Sequence, residues 1–433
     1  MKSSNRRAPL LVITVVFLFC AIGRDANAQS GSVIYSFTDG TNDGAVPANG
    51  LTFHNGSIFG VTNEGGAYNG DGVLFQLVPD ADGGWNETPV HVFEGGSDGA
   101  TPSPVIFDAA GNLYGEAVSF GAYGGGLIYE FSPTGNGWKM KVLHNFMGGS
   151  GGANPSGGLV FDASGNLYGT TGSGGSLTQC QGYGCGVIFK LSPKTDGTWT
   201  ESVLYSFTGQ QDGYLPMGGL TFDSRGNLFG TTFFYGYGSS NSGFGVIFQL
   251  SPQSNGSWKY SVLHHFAGGA AGELPFSNLV LTGGSIFGTT WQGGMMSGCN
   301  GNGCGVAYEL STEPTKFRIL HTFTGGADGG SLFSPLTLVK GKLFGTTQIG
   351  GDLNLCQGTG GSQGNGCGVV FELSRRANSA DGVFRVVYTF ENSNNNDGDG
   401  SDGRMTFDQA GNLYGETRIG GAYGLGTIFE IAP

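Results

Sequence analysis

The stretch Gly158-Leu-Val-Phe-Asp-Ala-Ser-Gly-Asn-Leu-Tyr-Gly-Thr-Thr171, followed after a glycine-rich gap by Gly186-Val-Ile-Phe-Lys-Leu-Ser-Pro193, recurs in seven variants between Gly50 and Pro433. The glycine after its aromatic residue returns at Gly60, Gly115, Gly169, Gly230, Gly288, Gly345 and Gly415. Each copy carries four short runs of alternating apolar residues, the pattern of half-buried strands. In the third copy they are strand a at 159–161, b at 167–171, c at 187–191 and d at 203–207. A unit of about 40 to 60 residues built of short strands cannot bury a core alone, so the copies must stack as the blades of a propeller.

The turns agree. Asp196-Gly197 before Trp199, Asp82-Gly83 before Trp85 and Asn255-Gly256 before Trp258 supply the positive φ that tight c–d hairpins need. The seventh copy stops in strand c at 428–431, whereas the chain opens with Val33-Ile-Tyr-Ser-Phe37, which reads as a strand d. The expected fold is therefore all-β: a seven-bladed β-propeller of four-stranded antiparallel blades, one domain over 29–433. Its N-terminal strand completes the last blade and leaves no open edge.

Residues 1–28 read as a secretory signal peptide: Lys2, Arg6 and Arg7, an apolar run over 10–22, and Ala26-Asn27-Ala28 as a cleavage site. The run is shorter than the ~20 residues of a membrane span. This segment carries four basic residues and one acidic, so its removal takes the formal charge from −13 to −16. An acidic chain of this kind is a poor partner for nucleic acid or an anionic membrane and leaves neutral sugars, cationic ligands and calcium open. No other cofactor is implied, and a secreted or periplasmic monomer is expected. The remaining cysteines fall as Cys180 with Cys185, Cys299 with Cys304 and Cys356 with Cys367, all between strands b and c. An even count at repeat-equivalent places in an exported chain predicts three disulfides. Two ligands per loop would be half a zinc site, and no histidine follows at the right spacing.

The phrase Leu-Thr-Phe-Asp-x-x-Gly-Asn-Leu-Tyr-Gly-Thr-Thr, with Gly-Val-Ile-Phe-x-Leu-Ser-Pro and Leu-Tyr-Ser-Phe-Thr-Gly after it, resembles the GloVer tandem repeats of exported bacterial proteins. Residues 220–232 and 246–252 carry the likeness as clearly as the third copy. Such proteins are described as choice-of-anchor proteins with C-terminal surface-anchoring signals. This chain departs from that by ending at Ile431-Ala-Pro433 inside the last blade, so release rather than anchoring is expected, and the resemblance implies fold and export while carrying over no activity or catalytic residues.

Function rests on where the copies differ. The a–b turns are near-identical, but the b–c gaps run from 11 residues (Gly115 to Gly126) to 23 (Gly345 to Gly368). Variation on a rigid scaffold is where binding residues usually sit. The b–c gaps and d–a linkers share one face, and aromatics gather in the gaps: Tyr68, Tyr123, Tyr183, Phe233, Phe234, Tyr235, Tyr237, Trp291 and Tyr423. These rings are candidates to stack on sugars or on a peptide, or else they pack the loops against each other. The last linker, with Asp397, Asp399, Ser401 and Asp402, offers oxygens at alternate positions for calcium, although Asp-Gly is also ordinary turn chemistry.

His91, His144, His264 and His321 each lie two residues before a phenylalanine in strand d, where Tyr35, Tyr205 and Tyr388 stand in other copies. Spread around the rim, they cannot meet at one site. Glu116 and Glu416 replace threonine after the anchor glycine in copies two and seven. They are candidates for a general acid and base, or for hydrogen bonds to a neighbouring blade. The leading expectation is a non-catalytic propeller that binds an extracellular glycan or surface protein. A polysaccharide hydrolase or lyase and a purely structural surface protein are the alternatives.

Overall fold

The computed structural model describes residues 30–432, apart from 68–69, 235–242, 357–365, 376–381 and 393–396. Its strands form seven antiparallel sheets arranged as a seven-bladed propeller, with strand a innermost and d outermost in each. The third blade is Ala153–Phe161, Leu167–Ser173, Val187–Pro193 and Trp199–Ser206. Strand d starts earlier than its apolar run because Trp199 pairs with Pro193 directly across the Asp196-Gly197 turn. It also carries a β-bulge between Val203 and Tyr205, repeated between Val142 and His144 and between Val262 and His264.

The last blade is Thr406–Phe407, Leu413–Thr417 and Thr427–Ile431, completed by Gly31–Ser36. Gly31 lies opposite Ile431 and Ser36 opposite Thr427, so the N-terminal strand closes the ring as the sequence implied. The core lies between blades rather than within them. Tyr114, Ile128 and Phe146 of blade two interleave with Leu159, Leu167 and Val187 of blade three, and similar clusters fill the other interfaces. Phe189 of strand c lies 2.6 Å from where a Cβ on Gly169 would stand, and Phe248 is as close to Gly230. That crossing of an aromatic ring over strand b requires the anchor glycine.

A second repeated device ties each blade to the one before it. In the fourth d–a linker Leu215, at φ 54°, donates its N–H to the carbonyl of Cys185, and Pro216 rests on Gly186. The same bond runs from Val46 to Leu425, Thr101 to Asp71, Asn154 to Gly125, Leu274 to Phe244, Ser331 to Cys304 and Gly400 to Cys367. All of these donors adopt the left-handed conformation, which costs about 1–3 kcal/mol for a non-glycine residue. The tie persists in every copy, including the linker that joins blade seven to blade one.

The mouth of the central channel

The linker aspartates have a shared task. Asp98 and Asp328 each accept a hydrogen bond from the strand-d histidine seven residues earlier, His91 and His321, at 2.9 Å, and Asp212 accepts one from Tyr205 at 2.9 Å. Each also accepts a backbone N–H from the residue four positions before it. Where a copy lacks the aspartate, the histidine finds another partner: His144 lies 3.5 Å from Glu201, and His264 stacks on Phe317. The histidines are thus spread around the rim, and His144 and His264 find their partners on the next blade. Asp397, one of the four calcium candidates, holds Tyr388 and the Glu391 and Asn392 amides in this same way. Asp399 pairs its backbone with Ile419 on the sheet edge, Ser401 is buried, and Asp402 stands apart at the channel, 3.5 Å from Arg418. Among the described residues no three histidine, cysteine or acidic side chains are grouped to hold a metal ion.

Glu116 and Glu416 are fully buried, and each Oε1 accepts a backbone N–H from strand a of the following blade, Gly158 at 2.9 Å and Gly50 at 2.9 Å. Of the two sequence readings, the structure shows the hydrogen bond between blades. Burial pushes the Glu116 carboxyl up to about 7, and burial with the Asp402 charge nearby pushes Glu416 well above the usual range. Neither lines the channel cavities described below.

The three disulfides form within their loops, with Cα atoms 5.4, 5.3 and 5.3 Å apart. Cys185, Cys304 and Cys367 are also the residues whose carbonyls receive the ties between blades, so each bridge fixes a loop to the point where the next blade attaches.

Of the loop aromatics, Tyr123, Tyr183 and Tyr423 are exposed on separate blades and touch neither channel cavity. Phe234 stacks on Tyr214, and Tyr68, Tyr235 and Tyr237 lie outside the described residues. Phe233 and Trp291 do come together, their rings 5.9 Å apart and nearly parallel. Two further rings complete the cluster: Phe333 is 4.6 Å from Trp291, and Phe276 is 5.4 Å from Phe333. The sequence reading missed these two because they lie in the d–a linkers. The signal was available there: at the place three before the apolar residue of strand a the copies read Ala48, Pro102, Ser156, Met217, Phe276, Phe333 and Asp402.

These residues open a cavity of about 540 Å³ at the channel mouth on the b–c and d–a face. Phe276, Trp291 and Phe333 of blades five and six make its apolar wall; Asn49, Asn63, Gln348, Asp402 and Arg418 of blades six, seven and one make its polar wall. Trp291 is held by its Nε1–H, which donates to Ser331 Oγ at 2.9 Å. Asn63 Oδ1 is buried without a protein partner. Burial pushes the Asp402 carboxyl up to about 6, against the pull of Arg418. The mouth continues into a deeper cavity of about 630 Å³ walled by strands a, and Asn49, Asn63, Phe276, Phe333 and Asp402 line both. A cleft of about 750 Å³ on the opposite face, between the hairpin turns of blades four and five, has no such convergence of rings and unpaired polar atoms.

A family model described as Gloeobacter/Verrucomicrobia repeat matches residues 24–243, 69–301 and 177–359. No match is found among curated proteins. Among solved structures, an ancestral GH74 enzyme is similar at 11% identity and a TM-score of 0.55, over 90% of this chain and 49% of that one. A putative gluconolactonase shows 11% identity and a TM-score of 0.43 over 94% and 92% of the two chains. A putative 6-phosphogluconolactonase from Bacteroides uniformis shows 13% and 0.47 over 76% and 80%. At 11% identity the likeness to the GH74 enzyme shows the propeller fold alone.

Proposed function

The chain belongs to the Gloeobacter/Verrucomicrobia repeat family, and from that premise we propose an exported, non-catalytic propeller that holds a saccharide at its channel mouth. The observation that carries the reading is the presence of two unlike walls along one cavity. Half-buried Trp291, Phe276 and Phe333 offer flat faces to the C–H surface of a sugar ring, while Asn49, Asn63 and Gln348 offer amide groups to its hydroxyls. The cavity volume falls in the small-ligand range of roughly 300–1,000 Å³. Three disulfides, and no helix among the described residues long and apolar enough to cross a membrane, are compatible with export.

Thermal unfolding of residues 29–433 against a panel of oligosaccharides tests this, because a ligand at 100 times its Kd adds about 2.7 kcal/mol of stability. Stabilisation by a sugar that Trp291→Ala and Phe333→Ala abolish, with no product on prolonged incubation, is the expected result. Binding that survives both changes removes the site from the mouth; stabilisation by no saccharide points to a surface protein as partner or to a structural role.

A further inference from the structure

One residue in the deeper channel breaks the repeat more sharply than any at the mouth. Directly before the apolar residue of strand a the seven copies read Gly50, Pro104, Gly158, Gly219, Asn278, Pro335 and Arg404. Six are short and uncharged; the seventh is a guanidinium. Arg404 lines the 630 Å³ cavity, and the only other ionisable residue among those lining it is Asp402. Asp402 is engaged with Arg418, 3.5 Å away, and Glu416 with the Gly50 amide. The described residues give the Arg404 side chain no ion pair and no hydrogen bond. Its surroundings are strands a carrying Val105, Leu159, Leu220 and Leu336.

A guanidinium stays protonated at any ordinary pH, and that of Arg404 is exposed to the channel with no counter-ion among the described residues. Protein surrounds Arg404 closely enough to pull its pKa down, yet its side chain remains open to the channel space. In a chain with 19 basic and 32 acidic residues, an unpaired arginine at the centre of the ring is a selective feature, because the surrounding surface attracts no anions of its own.

We propose that Arg404 is an anion-recognition residue, and that the saccharide held at the mouth is an acidic one whose carboxylate enters the channel to pair with this guanidinium. The planar fork of arginine matches a carboxylate with two parallel hydrogen bonds. The proposal rests on the mouth reading above and names the ligand class.

The experiment compares de-esterified oligogalacturonate with its fully methyl-esterified form of the same length, by calorimetry at low and moderate salt. A sulfated neutral oligosaccharide serves as a second anionic arm. Wild type is expected to prefer the free acid, and Arg404→Met to lose at least about 30-fold of that affinity while binding the ester as before. Arg404→Lys should recover part of the loss. Equal wild-type affinity for acid and ester overturns the proposal without any variant, as does an Arg404→Met protein that binds the acid undiminished. Preference for the sulfated chain over the carboxylate overturns the carboxylate assignment. If the ester binds and Trp291→Ala abolishes it while Arg404→Met changes nothing, the mouth reading stands and the anion site falls.

Discussion

The d–a linker and the strand a that follows it are continuous in sequence, yet they have diverged in opposite directions. In the linker every copy repeats the same tie: a left-handed residue whose N–H reaches the carbonyl before strand c of the previous blade. A few residues later, where the linker passes into strand a and reaches the channel, the copies differ in size and charge, from Ala48 and Gly50 to Phe333 and Arg404. Uniformity marks the contacts that make a ring; divergence marks the space the ring encloses. The difference explains how one scaffold keeps its geometry while its centre changes.

The comparison breaks most severely at the tie. A side chain on Gly186 would meet the Thr171 carbonyl oxygen at 2.2 Å and Pro216 at 2.8 Å, at a φ of 93°. Gly186→Val is expected to cost more than about 4 kcal/mol, seen as loss of cooperative unfolding or a large fall in Tm. Gly245→Val, at the next copy of the tie, should cost about as much, and a small effect at either would show that the tie contributes little.

The buried carboxyl between blades comes next. Glu116 has a folded-state pKa of about 7 against 4.5 in the open chain, so the native state holds this proton more tightly. Its contribution is present in full below pH 4.5 and lost as pH rises through 7, a change of about 3 kcal/mol for such a shift. Tm should therefore fall between pH 5 and pH 8, and less steeply in Glu116→Gln. An unchanged slope in that variant would assign the pH dependence elsewhere, with Glu87, raised to about 8, the first to examine.

Opening the Cys299–Cys304 bridge by paired replacement with serine should cost about 2 kcal/mol on loop-entropy grounds and loosen the outer edge of the mouth. Calorimetry and saccharide binding on the same variant separate the two effects. The smallest change in stability is expected at the most divergent place. Arg404→Met removes an unpaired charge and should shift stability by less than about 1 kcal/mol, or raise it, even as it alters binding. A loss comparable to Gly186→Val would turn Arg404 into part of the framework.

What was legible in the sequence was whatever is encoded locally. Alternation, Asp-Gly turns and the anchor glycine define strands within one copy, and aligning the copies revealed both the outer strand missing after 428–431 and its replacement near Tyr35. The histidines resolved the same way, because alignment placed them on the outer strands of four separate blades. The tie stayed hidden since its proline and its glycine sit in different copies, and only the folded ring brings Pro216 onto Gly186. The mouth was half legible. Trp291 and Phe233 were found as aromatics of the b–c gaps, but Phe276, Phe333 and Arg404 lie in the d–a linkers and at the start of strand a, away from the gaps whose lengths vary. Exposed Tyr123, Tyr183 and Tyr423 looked equivalent to Trp291 in sequence, yet the radius at which each stands from the axis is a property of the assembled ring.

The seam at Gly31–Ser36 gives the molecule a direction in time. The first strand to emerge during synthesis is the last to find its partner, since Ala422 and Ser36, joined by a hydrogen bond, are 386 positions apart. Bringing ends so distant together from a free coil costs about 5 kcal/mol beyond the length-independent part, but blades stacking in succession curve the growing arc until its end returns to its beginning. Assembly then resembles the fastening of a belt, in which the buckle waits for the whole length to pass, and the seam is where the finished ring should first come undone.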